Sequence, residues 1–192
     1  DAVLALFVGR LALQFMKQYE AAGLKDRVPL LGGGTTTDES VLPQMGDEAI
    51  GAITALHYSA AIDTAQNQKF ATAFEGKAGK SASYYSEATY TGTRWIAEAI
   101  KAVGGKVEDR DALLAALRRV EIKDAPRGPI TVDQWNNPVQ TIYVRKVEKL
   151  GGKLQNTVIA TFPAVGQFYR YNPDEYLKTP LYSRDYPPCK HC

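Results

Sequence analysis

The fold follows from residues 28–58, which read Val28-Pro-Leu-Leu-Gly-Gly-Gly-Thr-Thr-Thr-Asp-Glu-Ser-Val-Leu-Pro-Gln-Met-Gly-Asp-Glu-Ala-Ile-Gly-Ala-Ile-Thr-Ala-Leu-His-Tyr58. The apolar run Val28–Leu31 stops abruptly at three glycines, which is typical of a strand buried on both faces of a parallel sheet. Asp38 is suited to capping a short helix that Pro43 would limit, and a third strand is predicted at Ile50–Tyr58. The stretch therefore predicts a strand, a Gly/Thr loop, a short helix and another strand.

The Gly/Thr loop, residues 32–37, is the first candidate for a binding site. Its glycines let the backbone approach a ligand closely, and its threonine hydroxyls can donate or accept hydrogen bonds. In open α/β sheets, ligands bind outside the carboxyl ends of the strands, where this loop lies. The loop lacks the lysine of a phosphate-binding P-loop. We therefore expect a cleft for a small molecule rather than for a nucleotide.

The composition is that of an ordinary globular protein. Of the 192 residues, 45% are hydrophobic and 23% are charged, and the net charge is +2. Basic and acidic residues nearly balance, so no nucleic-acid partner is expected. No apolar run approaches the roughly 18 residues of a membrane-spanning helix. The chain starts at Asp1 and enters a predicted strand at once, so we expect a mature, cleaved or truncated product.

The two cysteines, Cys189 and Cys192, flank His191 at the end of the chain. A zinc site needs four ligands, and only three are crowded here. The pattern therefore favours a local disulfide or a reactive tail over a metal site. We expect neither a metal nor a cofactor.

The N-terminal segment predicts a βαβ unit. Ala2–Val8 is a nearly continuous apolar run, as in a buried parallel strand. Apolar residues then recur at helical spacing until Gly23, and the Val28 strand follows. The fold class is therefore α/β, with a right-handed crossover.

The middle of the chain departs from βαβ alternation. Three helices are predicted in succession: from Asp63 or Thr64 to Lys77, from Ser86 to Val103, and from Asp109 onward. Such helices need a surface to pack on that this chain does not obviously supply.

The last third predicts antiparallel strands and a tail. The predicted strands are Gly128–Val132, Val139–Val147 and Asn156–Phe162. Residues 163–192 contain five of the eleven tyrosines and five of the ten prolines without apolar periodicity. The tyrosines favour a tail wrapped over another surface, while a partly ordered extension is the alternative.

Catalytic motifs are not apparent in the sequence. His57 lies at the end of a predicted strand, where either a ligand contact or a structural role is plausible, but no carboxylate at a recognisable spacing makes it an acid/base pair. Asp38-Glu39 and Asp47-Glu48 are interpreted as helix-start charges. Arg10 is suited either to holding a carboxylate or to opening a helix at the surface. We therefore do not expect an enzyme.

Several segments, in this order and spacing, resemble the type I periplasmic binding proteins of the branched-chain amino-acid (Leu/Ile/Val-binding) group. The carrying segments are Asp1-Ala-Val, Phe15-Met-Lys-Gln-Tyr-Glu-Ala-Ala-Gly-Leu-Lys25, Met45-Gly-Asp-Glu-Ala-Ile-Gly51, Tyr85 to Tyr90 with Trp95-Ile-Ala-Glu-Ala-Ile100, and Arg127-Gly-Pro-Ile-Thr-Val-Asp-Gln-Trp-Asn-Asn-Pro-Val139. The resemblance runs from residue 1 to about residue 160. It implies two Rossmann-like lobes that close on a solute, which is then passed to an ABC permease.

The resemblance also implies a division of the chain, which would be the C-terminal part of the family fold. Residues 1–58 would belong to the second lobe, and residues 62–135 would help to complete the first. Residues 136–162 would cross the hinge and return to the second lobe, and residues 163–192 would be an extension. The implied partners are a small solute, the membrane subunits of the permease and the missing N-terminal half, and the implied location is the periplasm.

The family's ligand positions transfer unevenly onto this sequence. A cleft aromatic residue of the amino-acid binders falls at Val8, their acidic partner for the ligand ammonium falls at Gly34, and a second cleft aromatic is kept at Tyr85. An ammonium buried without a counter-charge costs several kcal/mol. Val8 and Gly34 also leave room, so the resemblance implies an aromatic or otherwise bulky carboxylate rather than a free α-amino acid. The complete predicted ligand set is Val8, Gly9, Arg10, Gly33, Gly34, Thr35, His57 and Tyr85.

Three classes of function compete. The leading prediction is a non-enzymatic transport receptor. The alternative is a ligand-sensing regulatory domain of the same fold, for amides or amino acids. An enzyme that uses His57 and a cleft carboxylate is the least favoured. A fold by itself does not settle function, so the transport prediction rests on the particular family resemblance.

Overall fold

The computed structural model describes residues 1–188. Six strands form one mixed sheet, with bounds β1 Val3–Ala5, β2 Leu30–Gly33, β3 Ile53–Leu56, β4 Ile130–Val132, β5 Pro138–Leu150 and β6 Lys153–Val165. The helices are α1 Arg10–Ala21, α2 Ala65–Ala78, α3 Tyr84–Ala102, α4 Arg110–Leu117 and α5 Pro173–Tyr176. In this part of the chain no helix is both long and apolar enough to cross a membrane.

The N-terminal βαβ unit is confirmed. β1 pairs in parallel with β2, and β2 pairs in parallel with β3. Between β1 and β2, α1 buries Ala12, Met16 and Tyr19, which share one face at helical spacing. The Tyr19 hydroxyl donates to the carbonyl of Val28 at 2.7 Å. Because the three strands are parallel, their carboxyl ends meet at one edge of the sheet.

The long strand β5 connects two parts of the sheet. β6 pairs with β5 along almost the whole length of β5, so β3 and β4 pair with different parts of the other edge of β5. β4 pairs with residues 138–140, and β3 pairs with residues 143–146. The predicted hairpin is thus confirmed, and β5 runs from the neighbourhood of β4 to that of β3.

The three predicted helices are confirmed, and their starts have clear chemical causes. The Thr64 hydroxyl accepts from the Asn67 N–H at the start of α2, and the Asp109 carboxylate caps α4. Ser83 and Ser86 form a reciprocal capping box at the start of α3. α2 ends at Gly79, whose φ of 65° is a left-handed conformation that favours glycine.

The buried hydrophobic residues form three clusters, each in a different part of the fold. The largest joins α1 to β2 and to Val147 of β5, the second joins α3 and α4 to Ile130 of β4, and the third surrounds Tyr58 and Tyr143. The helices predicted to need an external surface therefore pack partly on their own chain.

Some predicted element bounds were wrong. The Gly/Thr loop itself contains a 3-10 turn, Gly34–Thr37, and the segment after it forms two more, Leu42–Gln44 and Asp47–Ala49, instead of one short helix. The carbonyl of Asp38 accepts from two successive N–H groups, and Pro43 and Gly46 then interrupt the chain before a helix can grow. β1 and β3 are shorter than predicted, while β6 extends beyond Phe162 to Val165.

The described part of the tail lies against the turn between β4 and β5. Phe168 packs edge-on against Trp135, with ring centroids 4.8 Å apart, and Gln167 donates to the Asp133 carboxylate at 3.0 Å. A second aromatic contact joins Phe168 to Tyr176 of α5. The predictions for Cys189, His191 and Cys192 lie outside the described residues.

Candidate functional site

The candidate site is the carboxyl edge of β1, β2 and β3. The Thr35 hydroxyl donates to the carbonyl of Phe7 at 3.0 Å, and the Thr36 hydroxyl accepts from the N–H of Phe7 at 3.2 Å. These bonds place the turn after β1, residues 8–10, beside the Gly/Thr loop. Six of the eight predicted ligand residues therefore come together. The threonine hydroxyls, which the sequence suggested for a ligand, hold the two turns to each other.

Arg145 fills the space behind Gly34. Its buried guanidinium donates to the carbonyl of Gly34 at 2.9 Å, to the carbonyl of Tyr58 at 2.7 Å and to the hydroxyl of Thr54 at 3.1 Å. A Cβ at Gly34 would meet Leu56 and would lie 2.7 Å from Nη2 of Arg145. The prediction that Gly34 leaves room was wrong, because these two side chains occupy the space.

Glu39 and Asn156 complete a buried polar network under the loop. The Asn156 amide donates to the carbonyl of Thr37 at 2.7 Å and to the Glu39 carboxylate at 3.1 Å. A Glu39 oxygen lies 3.8 Å from Nη1 of Arg145. Burial is the main reason that the pKa of Glu39 is raised, although Arg145 opposes the shift. β5 and β6 thus fix the position of the Gly/Thr loop.

The acidic groups of the loop are bound within the protein. The Asp38 carboxylate accepts from the N–H of Ser40 at 3.0 Å and from that of Tyr84 at 3.4 Å, and Glu39 belongs to the buried network. The interpretation of Asp38 and Glu39 as helix-start charges was therefore wrong, since neither lies in the first turn of a helix and both are buried. Asp47 and Glu48 do lie in the first turn of a 3-10 helix, as predicted.

His57 lies next to the aromatic pair that opens α3. Its ring is edge-on to Tyr84, with centroids 5.9 Å apart, and the rings of Tyr84 and Tyr85 lie 3.9 Å apart. Burial, followed by the positive charges of Arg127 and Arg145, lowers the pKa of His57 to about 3. The imidazole is therefore neutral at pH 7, and its Nε2 has no hydrogen-bond partner among the described residues.

A second buried ion pair anchors α3. Arg127 donates through Nε to the Glu87 carboxylate at 2.6 Å and through Nη1 to Gln140 at 2.8 Å, and Glu87 also accepts from the Thr91 hydroxyl. The Tyr143 hydroxyl donates to the carbonyl of Arg127. This network ties the start of α3, and with it the Tyr84-Tyr85 pair, to β5.

Tyr85 lines a different surface from the six predicted residues at the strand ends, although its neighbour Tyr84 contacts His57. The Tyr85 side chain is 48% exposed and lines a cavity of about 830 Å³ that contains none of the other seven predicted residues. The cavity lies between the 3-10 turns, the connection from α2 to α3 and the turn between β5 and β6. Val8 and Arg10 are also exposed, so their predicted ligand contacts stay predictions.

Sequence reasoning missed Arg145, Glu39 and Asn156. A signal for Arg145 was present, because residues 141, 143, 145 and 147 alternate along β5 and are all buried. An arginine on the apolar face of a strand is rarely buried unless it is paired. Across residues 1–188, His, Cys, Asp and Glu side chains form no group of three or more that could hold a metal ion.

Residues 1–153 match the family described as "Periplasmic binding protein". The chain belongs to this family. A Leu/Ile/Val-binding protein homolog from Brucella melitensis is 36% identical over 163 residues, which are 82% of this chain and 41% of the relative. The chain thus spans less than half the length of this periplasmic binding protein relative.

Solved structures of periplasmic binding proteins agree with the fold. A solute-binding protein of an ABC transporter from Rhodopseudomonas palustris BisB5, in complex with 3,4-dihydroxybenzoic acid, has 38% identity and a TM-score of 0.80, and the match covers 86% of this chain and 46% of that one. Another from R. palustris, in complex with benzoate, has 36% identity and a TM-score of 0.76, with 88% and 45% covered. The predicted type I fold class is confirmed.

Proposed function

We propose that the protein is the solute-binding receptor of an ABC importer and that it delivers a small aromatic carboxylate to the permease. Both structural relatives described above are ABC solute-binding proteins in complex with aromatic acids. The proposed location is outside the cytoplasmic membrane, where receptors of this family act. Such receptors bind their solute and are not enzymes.

The observation that carries the proposal is the charge behind Gly34. The resemblance to amino-acid binders puts an acidic residue at this position, and here a buried guanidinium adjoins a glycine. Asp38 and Glu39 are engaged within the protein. An ammonium would therefore lose its hydration without gaining a counter-charge, which costs several kcal/mol. A carboxylate meets the opposite and favourable field.

The aromatic side of the ligand is proposed to contact Tyr85. The ring is exposed, and Tyr84 supports it from behind. Offset or edge-on contacts between rings add about 0.5–1.5 kcal/mol beyond the buried area. Arg10, exposed at the start of α1, is suited to meeting the acid group through a bidentate fork.

The ligand cleft is proposed to lie between two lobes that β5 joins. The course of β5 from β4 to β3 supports residues 136–162 as the crossing segment. On this proposal residues 1–58 belong to one lobe, and residues 62–135 belong to the other. Tyr85 would then approach the remaining site residues when the lobes close.

The test is calorimetric titration of the full-length protein with benzoate, 4-hydroxybenzoate, leucine and valine. We expect the aromatic acids to bind and the amino acids to bind at least tenfold more weakly. Tyr85→Ala should weaken benzoate binding, while Tyr85→Phe, which keeps the ring, should not. Preferred binding of leucine or valine would overturn the proposal.

A further inference from the structure

Arg145 contacts the carboxyl ends of two strands at once. One guanidinium nitrogen holds the carbonyl of Gly34 after β2, and the other holds the carbonyl of Tyr58 after β3, at 2.9 Å and 2.7 Å. Arg145 itself lies on β5 and is completely buried. A planar guanidinium has fixed donor directions, so it fixes the orientation of both peptide groups.

This clamp orients the N–H groups that follow the two carbonyls. In a trans peptide the C=O and the next N–H point in opposite directions. The N–H of Thr35 therefore points away from Arg145, and so does that of Ser59. Because Arg145 lies in the interior, the Thr35 N–H is directed outward at the carboxyl edge of β2.

We propose that Arg145 is a positioning residue that makes the site select a carboxylate over a neutral or cationic group, by turning the Thr35 N–H outward and by supplying positive charge from behind Gly34. This inference rests on the proposed function, because it assumes that the solute lies at this edge of the sheet. Gly34 is part of the device, since a Cβ there would lie 2.7 Å from Nη2.

Two carboxyl groups, Glu39 and Asp38, act on Arg145 and offset part of its positive charge. Arginine stays protonated in proteins, whereas burial raises the pKa of Glu39 and so disfavours the carboxylate. The charge also reaches the site, because the positive charges of Arg127 and Arg145 add to the larger effect of burial in lowering the pKa of His57. A ligand carboxylate at the same edge would experience this field as attraction.

The test compares benzoate with benzamide, which has nearly the same shape and no charge, in the full-length protein. The wild type should bind benzoate at least tenfold more tightly, and Arg145→Gln should reduce this ratio at least tenfold. Arg145→Lys keeps the charge and should keep the ratio within about threefold, even if stability falls. Arg94→Gln removes a remote arginine and should leave the ratio unchanged.

If Arg145 has only a structural role, the result should differ, because damage to the loop would weaken the binding of benzoate and of benzamide equally. An unchanged ratio in Arg145→Gln, or a ratio near one in the wild type, overturns the inference. If Arg145→Gln does not fold, Arg145→Lys decides, and a collapse of its ratio overturns the inference. Failure of the wild type to bind any aromatic acid would instead refute the proposed function.

Discussion

Gly34→Ala tests whether the loop is packed as tightly as the structure indicates. The added methyl would overlap Cβ of Leu56 and would lie 2.9 Å from its Cδ2 and 2.7 Å from Nη2 of Arg145. Optimal carbon contacts are about 3.5–4.0 Å, so the neighbours must move by about 1 Å or more. The backbone holds Cβ of Leu56, which leaves Arg145 as the group that yields.

The expected cost follows from those contacts. Overpacking costs about 1–3 kcal/mol, and loss of the charged hydrogen bond to Gly34 costs about 1.5–3 kcal/mol. Alanine also lowers the conformational entropy of the unfolded chain, which offsets about 0.4–1 kcal/mol of that loss of stability. We expect Gly34→Ala to lower the free energy of unfolding by about 3–4 kcal/mol.

Gly33→Ala is the matched control. Its methyl would meet only the end of the Leu6 side chain, which is 72% exposed and can rotate away. Neither glycine has a left-handed φ, so the gain from the unfolded state is the same in both variants. Urea unfolding of the two full-length variants measures the difference. Equal stability would refute the packing described around Gly34.

Three further predictions concern other parts of the structure. The folded state holds His57 neutral, so the wild type should lose about 1.4 kcal/mol of stability for each pH unit that the pH falls between 6.5 and 3. His57→Gln should not show this loss. Urea-unfolding stabilities that change with pH in the same way for both proteins would contradict the prediction. Arg127→Met leaves Glu87 buried without its partner and should lower the free energy of unfolding by about 3–5 kcal/mol. Adding Glu87→Gln should restore part of that stability. A double variant that is no more stable in urea than Arg127→Met would count against the prediction. Phe168→Ala removes the contact with Trp135, so limited proteolysis should cut the tail faster at an unchanged melting temperature, and an unchanged cleavage rate would speak against that anchor.

Much of the architecture was predictable because its causes are local. The apolar face of α1 and the caps at Thr64 and Asp109 each depend on residues close together in sequence. The segment after Asp38 was mispredicted as a helix because Pro43 and Gly46 leave pieces too short for i to i−4 hydrogen bonding, and 3-10 turns result.

The candidate site was predictable only in part. Val8 to Arg10 and Gly33 to Thr35 were grouped in one ligand set from the position of the loop and from the family resemblance, and hydrogen bonds between Phe7 and the threonines show that the two groups are close. The occupant of the space behind Gly34 was not predictable, since Arg145 lies 111 residues further along the chain. Tyr85 was grouped with them, whereas it lines a separate cavity.

The sequence by itself determined the family, the order of the elements and the location of the Gly/Thr loop, because periodicity, glycines and caps act within a few residues of each other. Only the tertiary structure decided the charge of the site. That charge depends on which buried groups pair, and Glu39 of the loop segment meets Arg145 and Asn156 of the neighbouring strands β5 and β6, which lie far along the chain from it. Burial then shifts the pKa of each titratable group by an amount that only its packed surroundings determine.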